Sequence, residues 1–173
     1  MTWNSYHTRG EILRSVIETA DRRQDGRLPM DVEGVAAKFD DEFDLLTTLQ
    51  LKWHTRLAGN LERELAEQPL DLPAAAVAAW HTTAADMPGV RMILDRYSDQ
   101  PTDARMATAM RKAAAKEHLL LAVMAGLGAY SDELAVPAGA RIAEEARASY
   151  VPAERTAEER PTLLSRLRSA LAA

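Results

Sequence analysis

Residues 42–68, EFDLLTTLQLKWHTRLAGNLERELAEQ, form a long segment whose apolar residues recur at helical spacing. Asp40 or Asp41 is a suitable N-cap for this helix, and Pro69 ends it. Two segments of nearly the same length follow, at residues 73–99 and 102–129. At ~1.5 Å per residue, each would span about 40 Å. Because the connections between them are short, neighbouring segments are predicted to run antiparallel in a helical bundle.

The remaining chain is also predicted to be helical, since alternation of period two is nowhere sustained. Pro88 and Gly89 are expected to kink or break the segment 73–99. Further helices are predicted at residues 9–24, 29–39 and 138–149. The predicted fold is all-α, an up-and-down four-helix-type bundle with a C-terminal helical extension. Residues 9–24 supply the fourth helix, and residues 1–150 form the bundle domain.

The extension comprises residues 151–173, a polar linker followed by a short amphipathic helix. An isolated helix of this length is not stable in water, so it must dock on another surface. Its own bundle, a second subunit or another protein, and an acidic membrane surface are the three alternatives. The predicted partner-binding residues are the leucines on one side of this helix, Leu163, Leu164, Leu167 and Leu171.

The composition excludes several classes of protein. The chain has 173 residues, a formal net charge of −5 and no cysteine, so a disulfide framework and a thiol nucleophile are excluded. An acidic chain is a poor match for nucleic acid, because phosphate contacts need a basic face. No apolar run approaches ~18 residues, so we expect no membrane span. The N-terminal residues lack the apolar run of a signal peptide, and we expect a cytoplasmic protein.

Polar residues interrupt the apolar faces of two long helices. On a helical projection, Gln50 and His54 fall on the apolar face of the segment 42–68. Glu117 falls near the middle of the apolar face of 102–129, and His118 lies at its flank. An inward carboxylate needs a partner. We therefore predict a buried cluster of Gln50, His54 and Glu117. Gln50 and His54 would lie half-way along an antiparallel neighbouring helix, and His118 is a further candidate for the site.

This cluster has two interpretations. A buried histidine–glutamate pair can fix the register of two helices without any chemistry. Alternatively, Gln50, His54, Glu117 and His118 form a small-ligand or weak metal site. The Glu-x-x-His pairs that hold di-metal centres in helical bundles do not occur in this chain. We therefore predict no metal and no cofactor.

The chain carries no diagnostic catalytic motif, since G-x-S-x-G, the P-loop, G-x-G-x-x-G and H-E-x-x-H do not occur. We therefore expect a non-catalytic cytoplasmic helical-bundle protein that acts through protein–protein contacts as a homodimer. One alternative is a small-ligand or metal-binding bundle, which includes an enzyme, centred on Gln50, His54 and Glu117. A second alternative is a DNA-binding regulator with a helix-turn-helix at residues 30–56. It is disfavoured because Asp40, Asp41 and their acidic neighbours would repel phosphate.

Overall fold

The structure, a computed structural model, describes residues 8–67, 69–129, 131 and 134–152. Within these residues the regular secondary structure is all α-helical, which confirms the predicted all-α class. Its helices are α1 (Arg9–Arg23), α2 (Val35–Lys38), α3 (Glu42–Ala66), α4 (Leu72–Asp86), α5 (Pro88–Asp99), α6 (Ala104–Met124) and α7 (Ala135–Ser149). The predicted C-terminal helix, with Leu163, Leu164, Leu167 and Leu171, lies outside the described residues. Among the helices of the described part, none is long and apolar enough to cross a bilayer.

Aspartates begin three of the long helices. The side chain of Asp41 accepts a hydrogen bond from the backbone N–H of the third residue of α3, and Asp71 and Asp103 do the same for α4 and α6. Each cap satisfies a backbone donor that has no partner within the helix, which stabilises a helix by about 1 kcal/mol. Asp41, Asp71 and Asp103 are therefore explained by helix initiation.

The predicted break at Pro88 is confirmed, because α4 ends at Asp86 and α5 begins at Pro88. Proline has no backbone N–H and cannot continue the hydrogen-bond ladder of the preceding helix. The backbone N–H of Gly89 donates to Asp21 Oδ1 on α1 at 2.8 Å. A Cβ at Gly89 would lie 2.0 Å from the carbonyl oxygen of Ala20, so glycine permits α1 and α5 to touch here.

The end of α6 comes earlier than predicted, at Met124 instead of residue 129. Gly126 adopts a left-handed conformation with φ 71°, which glycine reaches without strain. The N–H of Leu127 then donates to the carbonyl of Ala122 at 2.9 Å, which closes the helix in a Schellman arrangement. In contrast, α7 begins before Pro137, because proline is tolerated in the first turn.

The core forms around α3, where every fourth residue is fully buried. This stripe consists of Leu45, Leu49, Trp53, Leu57 and Leu61. Helix α3 packs on α4, α5 and α6, while α1 packs on α5, and α7 packs on α6 and α4. Helix α3 therefore lies at the centre of the described fold and has a neighbour on several sides.

Helices α3 and α6 run in the same direction. Asp41 before α3 lies 3.6 Å from Arg105 near the start of α6, and the Arg105 guanidinium stacks on Phe43. Half-way along, Trp53 contacts Glu117. The predicted antiparallel relation of these two helices is wrong, because α4 and α5 together return the chain before α6 begins. The finer up-and-down four-helix order stays a prediction.

Candidate functional site

Glu117 is buried, as predicted, with 3% of its surface exposed. Its Oε2 atom accepts a hydrogen bond from the indole Nε1 of Trp53 at 2.8 Å, and its Oε1 atom accepts one from Trp80 Nε1 at 3.2 Å. The two indole rings meet edge to face with centroids 5.8 Å apart. Each carboxylate oxygen therefore has its own neutral N–H donor.

Two arginines add positive charge to this arrangement. Arg91 Nη1 lies 3.7 Å from Oε2 of Glu117, and Arg147 Nη2 lies 3.7 Å from Oε1. Asp95 Oδ1 accepts a hydrogen bond from Arg91 at 2.6 Å and lies 3.7 Å from Arg147 Nε. The charges consequently alternate around a ring, which is how a buried carboxylate is compensated in a low-dielectric interior.

The Glu117 cluster, defined as Glu117, Trp53, Trp80, Arg91 and Arg147, joins five helices. Its members come one each from α6, α3, α4, α5 and α7. Both guanidinium groups also stack on its indoles, with Arg91 Cζ 4.6 Å from the Trp53 ring and Arg147 Cζ 5.5 Å from the Trp80 ring. The contacts described for the cluster are made by side chains of the protein itself.

One member of the Glu117 cluster is incompletely hydrogen-bonded. Arg91 is 8% exposed, and its buried Nε and Nη1 atoms have no hydrogen-bond partner. Its charge is nevertheless compensated by Asp95 and Glu117. A guanidinium held in this way depends on its carboxylate neighbours, because an unpaired buried charge is costly.

Gln50 and His54 do not join Glu117, and the predicted cluster is wrong in this respect. They lie on a groove of about 280 Å³ between residues 47–54 of α3 and 109–116 of α6. The buried stripe of α3 passes through Leu49 and Trp53, so the next residues point about 100° away. We call this the α3–α6 groove, and Lys112 and Lys116 line its other wall.

His118, the additional candidate for the predicted site, is half-buried next to α7. A Cβ at Gly139 would lie 1.7 Å from the His118 carbonyl oxygen, so α6 and α7 are in backbone contact here. Burial lowers the pKa of His118 below its usual 6.5, and the charge of Arg147 acts in the same direction, while Glu117 opposes it. The neutral imidazole is therefore favoured at this helix contact.

A serine–histidine contact between α4 and α7 has the wrong proton arrangement for nucleophilic catalysis. His81 Nε2 lies 2.9 Å from the carbonyl oxygen of Ala146 and 3.2 Å from Ser149 Oγ. The carbonyl can only accept, so Nε2 carries the proton and is no base. Ser149 Oγ in turn donates to the carbonyl of Glu145 at 2.7 Å. These bonds connect the two helices instead.

A second and larger groove lies between α1 and α3. It has a volume of about 470 Å³, and its floor includes the buried side chains of Leu13 and Met87. Gly10 and Gly59 lie on its walls, and a Cβ at Gly59 would meet no atom within 4 Å. We call this the α1–α3 groove.

The partners of Glu117 differ from those predicted from the sequence. Trp53 and Trp80 were available as a signal, because buried indole N–H groups need acceptors and an inward carboxylate needs donors. Arg91 and Arg147 gave no comparable signal, since arginine is frequent throughout the chain. Their approach to Glu117 depends on how α5 and α7 pack.

The described residues also contain no group of three or more histidine, aspartate and glutamate side chains that could hold a metal ion. Comparisons with protein-family models, with curated proteins and with solved structures found no match.

Proposed function

We propose that this chain is a non-catalytic helical-bundle protein that acts through protein–protein contacts, with the α1–α3 groove as the contact surface. The observation that supports the proposal is an open groove with an apolar floor and cationic walls. Grooves of this kind receive the apolar face of an amphipathic helix from another protein. The Glu117 cluster, in contrast, is filled by the protein's own side chains.

The shape of the α1–α3 groove suits a helix. Helices α1 and α3 both pack on α5, which places α5 behind the groove. Along α3 the wall extends from Lys52 to Arg63, which corresponds to about 17 Å at ~1.5 Å per residue. Gly59 has no side chain on this wall, so the backbone of a bound helix can approach closely.

The charges on the walls indicate an acidic partner. Arg14, Lys52 and Arg63 make no ion pair within the described part of the chain. Arg56 pairs with Asp86 at 2.8 Å, and the only acidic residue among the described lining residues is Glu18. This excess of cations occurs in a chain whose net charge is −5. We infer that the partner presents an amphipathic helix with an acidic polar face.

The chain's own C-terminal segment has the wrong charge for this groove. From Arg160 onward it contains Arg166 and Arg168 and no acidic residue. Like charges across an interface disfavour binding. The proposed homodimer, formed through Leu163, Leu164, Leu167 and Leu171, would therefore use another surface of the bundle.

The test uses synthetic helical peptides of about 12 residues, which match the length of the groove. One peptide carries leucines on one face and glutamates on the other, and the matched peptide has lysines in place of the glutamates. Fluorescence anisotropy should show binding of the acidic peptide to the full chain and at least about tenfold weaker binding of the lysine peptide.

Gly59→Trp is the variant that blocks the groove. Because a side chain at this position enters open space, the variant should keep its helical circular dichroism and lose the acidic peptide. Gln50→Trp places the same side chain on the opposite side of α3 without a change of charge and is the control. Equal binding of both peptides, or equal binding by Gly59→Trp and the control, contradicts the proposal.

Self-association is tested separately by light scattering on the full chain. The proposed homodimer predicts twice the monomer mass, and Leu164→Glu combined with Leu167→Glu should give the monomer mass. A full chain that is monomeric over a wide concentration range contradicts the homodimer. A monomeric chain would not contradict binding at the α1–α3 groove, which the peptide measurements test separately.

A further inference from the structure

The α3–α6 groove brings four polar side chains together. Gln50 and His54 of α3 and Lys112 and Lys116 of α6 line it, and the contacts Asp41–Arg105 and Trp53–Glu117 show that the two helices run in the same direction. Residues four apart on a helix face the same side, so the parallel register places both pairs along one groove. This arrangement depends on the parallel direction of α3 and α6, which differs from the antiparallel relation predicted from the sequence.

These four side chains are free to bind a ligand. Gln50, His54, Lys112 and Lys116 have no hydrogen bond or ion pair with another residue of the described part, and no described acidic residue lines the groove. The chain contains only four lysines, and two of them lie here. In an acidic protein, this concentration of unpaired donors is a local feature of the α3–α6 groove.

We propose that the α3–α6 groove binds a small molecule that carries a phosphate group. Lys112 and Lys116 supply two ammonium groups, which bind phosphate as point charges. The amide of Gln50 and the ring N–H of His54 add directional donors. Leu51, which is 64% exposed, offers an apolar contact for the body of the ligand.

This site is distinct from the surface proposed for protein contacts. The residues of α3 that line the α1–α3 groove, such as Lys52 and Gly59, lie on the opposite side of the helix from Gln50 and His54. Binding at one groove and binding at the other can therefore be removed independently. With a phosphate site, this chain would bind a small molecule as well as a protein partner.

The probes are inorganic phosphate, phenyl phosphate and phenol, titrated against the full chain at constant pH and ionic strength. The readout is the ring proton resonances of His54 by NMR, assigned with His54→Gln. Phenyl phosphate should shift these resonances saturably and bind more tightly than inorganic phosphate, because its ring contacts Leu51. Phenol should give no shift. Tighter binding of inorganic phosphate would show a site for the free anion and contradict a site for a phosphorylated molecule.

The matched variants are Lys112→Met, Lys116→Met and Lys52→Met, which make the same chemical change on the two sides of α3. Each of the first two should weaken phenyl phosphate binding about fivefold or more, as expected for the loss of one close charge. Lys52→Met should leave this affinity unchanged. Absence of a saturable shift in the unaltered protein, or equal weakening by all three variants, overturns the proposal.

Discussion

The indole nitrogen of Trp53 on α3 lies 2.8 Å from the Oε2 atom of Glu117 on α6. Both residues are buried, and the bond joins two parallel helices at their middle. Trp80 donates to the other carboxylate oxygen, and Arg91 and Arg147 lie beside it. This relation makes Glu117 the point at which five helices are held in register.

Glu117→Ala should destabilise the protein by about 3–5 kcal/mol, because Arg91 would remain buried with part of its compensation removed and both indoles would lose their acceptor. The free energy of unfolding is measured by urea denaturation. Glu62→Ala, at an exposed position on α3, is the control and should change stability by less than about 0.5 kcal/mol. Similar effects of the two variants would show that Glu117 does not hold the helices in register.

Trp53→Phe and Glu117→Gln should be coupled. Trp53→Phe removes the N–H donor, and Glu117→Gln replaces one accepting oxygen by an amide NH2 that cannot accept from an indole. A buried polar group left without its partner costs about 1–3 kcal/mol. In a double-mutant cycle, the combined change should be smaller than the sum of the single changes by at least about 0.5 kcal/mol. Additive changes would mean that the two side chains do not interact in solution.

Two glycine-to-alanine variants should have opposite effects on stability. At Gly59 the new methyl group meets open space, and alanine is the better helix former, so Gly59→Ala should stabilise by about 0.5–1 kcal/mol. At Gly139 the methyl group would collide with the His118 carbonyl and force α6 and α7 apart, at a cost of at least about 2 kcal/mol. Thermal melting compares the two. A neutral Gly139→Ala would show that α6 and α7 are farther apart than described.

His118 should make the protein less stable as the pH falls from 7 towards 5. Its pKa is lowered in the folded state, mainly by burial, so the unfolded chain binds more protons between the folded pKa and 6.5. In that window the free energy of unfolding therefore rises with pH. His118→Gln should flatten this dependence in urea unfolding at a series of pH values. An unchanged slope in the variant would show that His118 is solvated.

The sequence predicted where the long helices lie because several of their start and stop signals are local, although α6 ends earlier than predicted. Asp41 and Pro88 act within one turn, and their effect on the helix boundaries follows from backbone hydrogen bonding. The burial of Glu117 also follows from its position on an apolar face. These predictions did not require knowledge of how the helices pack.

The partners of Glu117 required the rotation and direction of neighbouring helices, which are tertiary properties. The apolar residues of α3 cover a wide arc, and a projection centred on Gln50 is rotated by about 100° from Leu49 and about 60° from Trp53, both of which belong to the true buried stripe. A rotation of this size explains why His54 was predicted to contact Glu117 of α6, whereas Trp53 makes this contact in the structure. Arg91 and Arg147 reach Glu117 from helices whose placement no local pattern indicates.

The central claim is that the carboxylate of Glu117 binds the indole N–H groups of Trp53 and Trp80 in the protein interior. Hydrogen exchange of the indole N–H protons, followed by NMR and assigned with Trp53→Phe and Trp80→Phe, tests it directly. Both protons should exchange only when the protein unfolds globally, and both resonances should move in Glu117→Gln. Exchange as fast as that of free tryptophan, or resonances unchanged in Glu117→Gln, would contradict it.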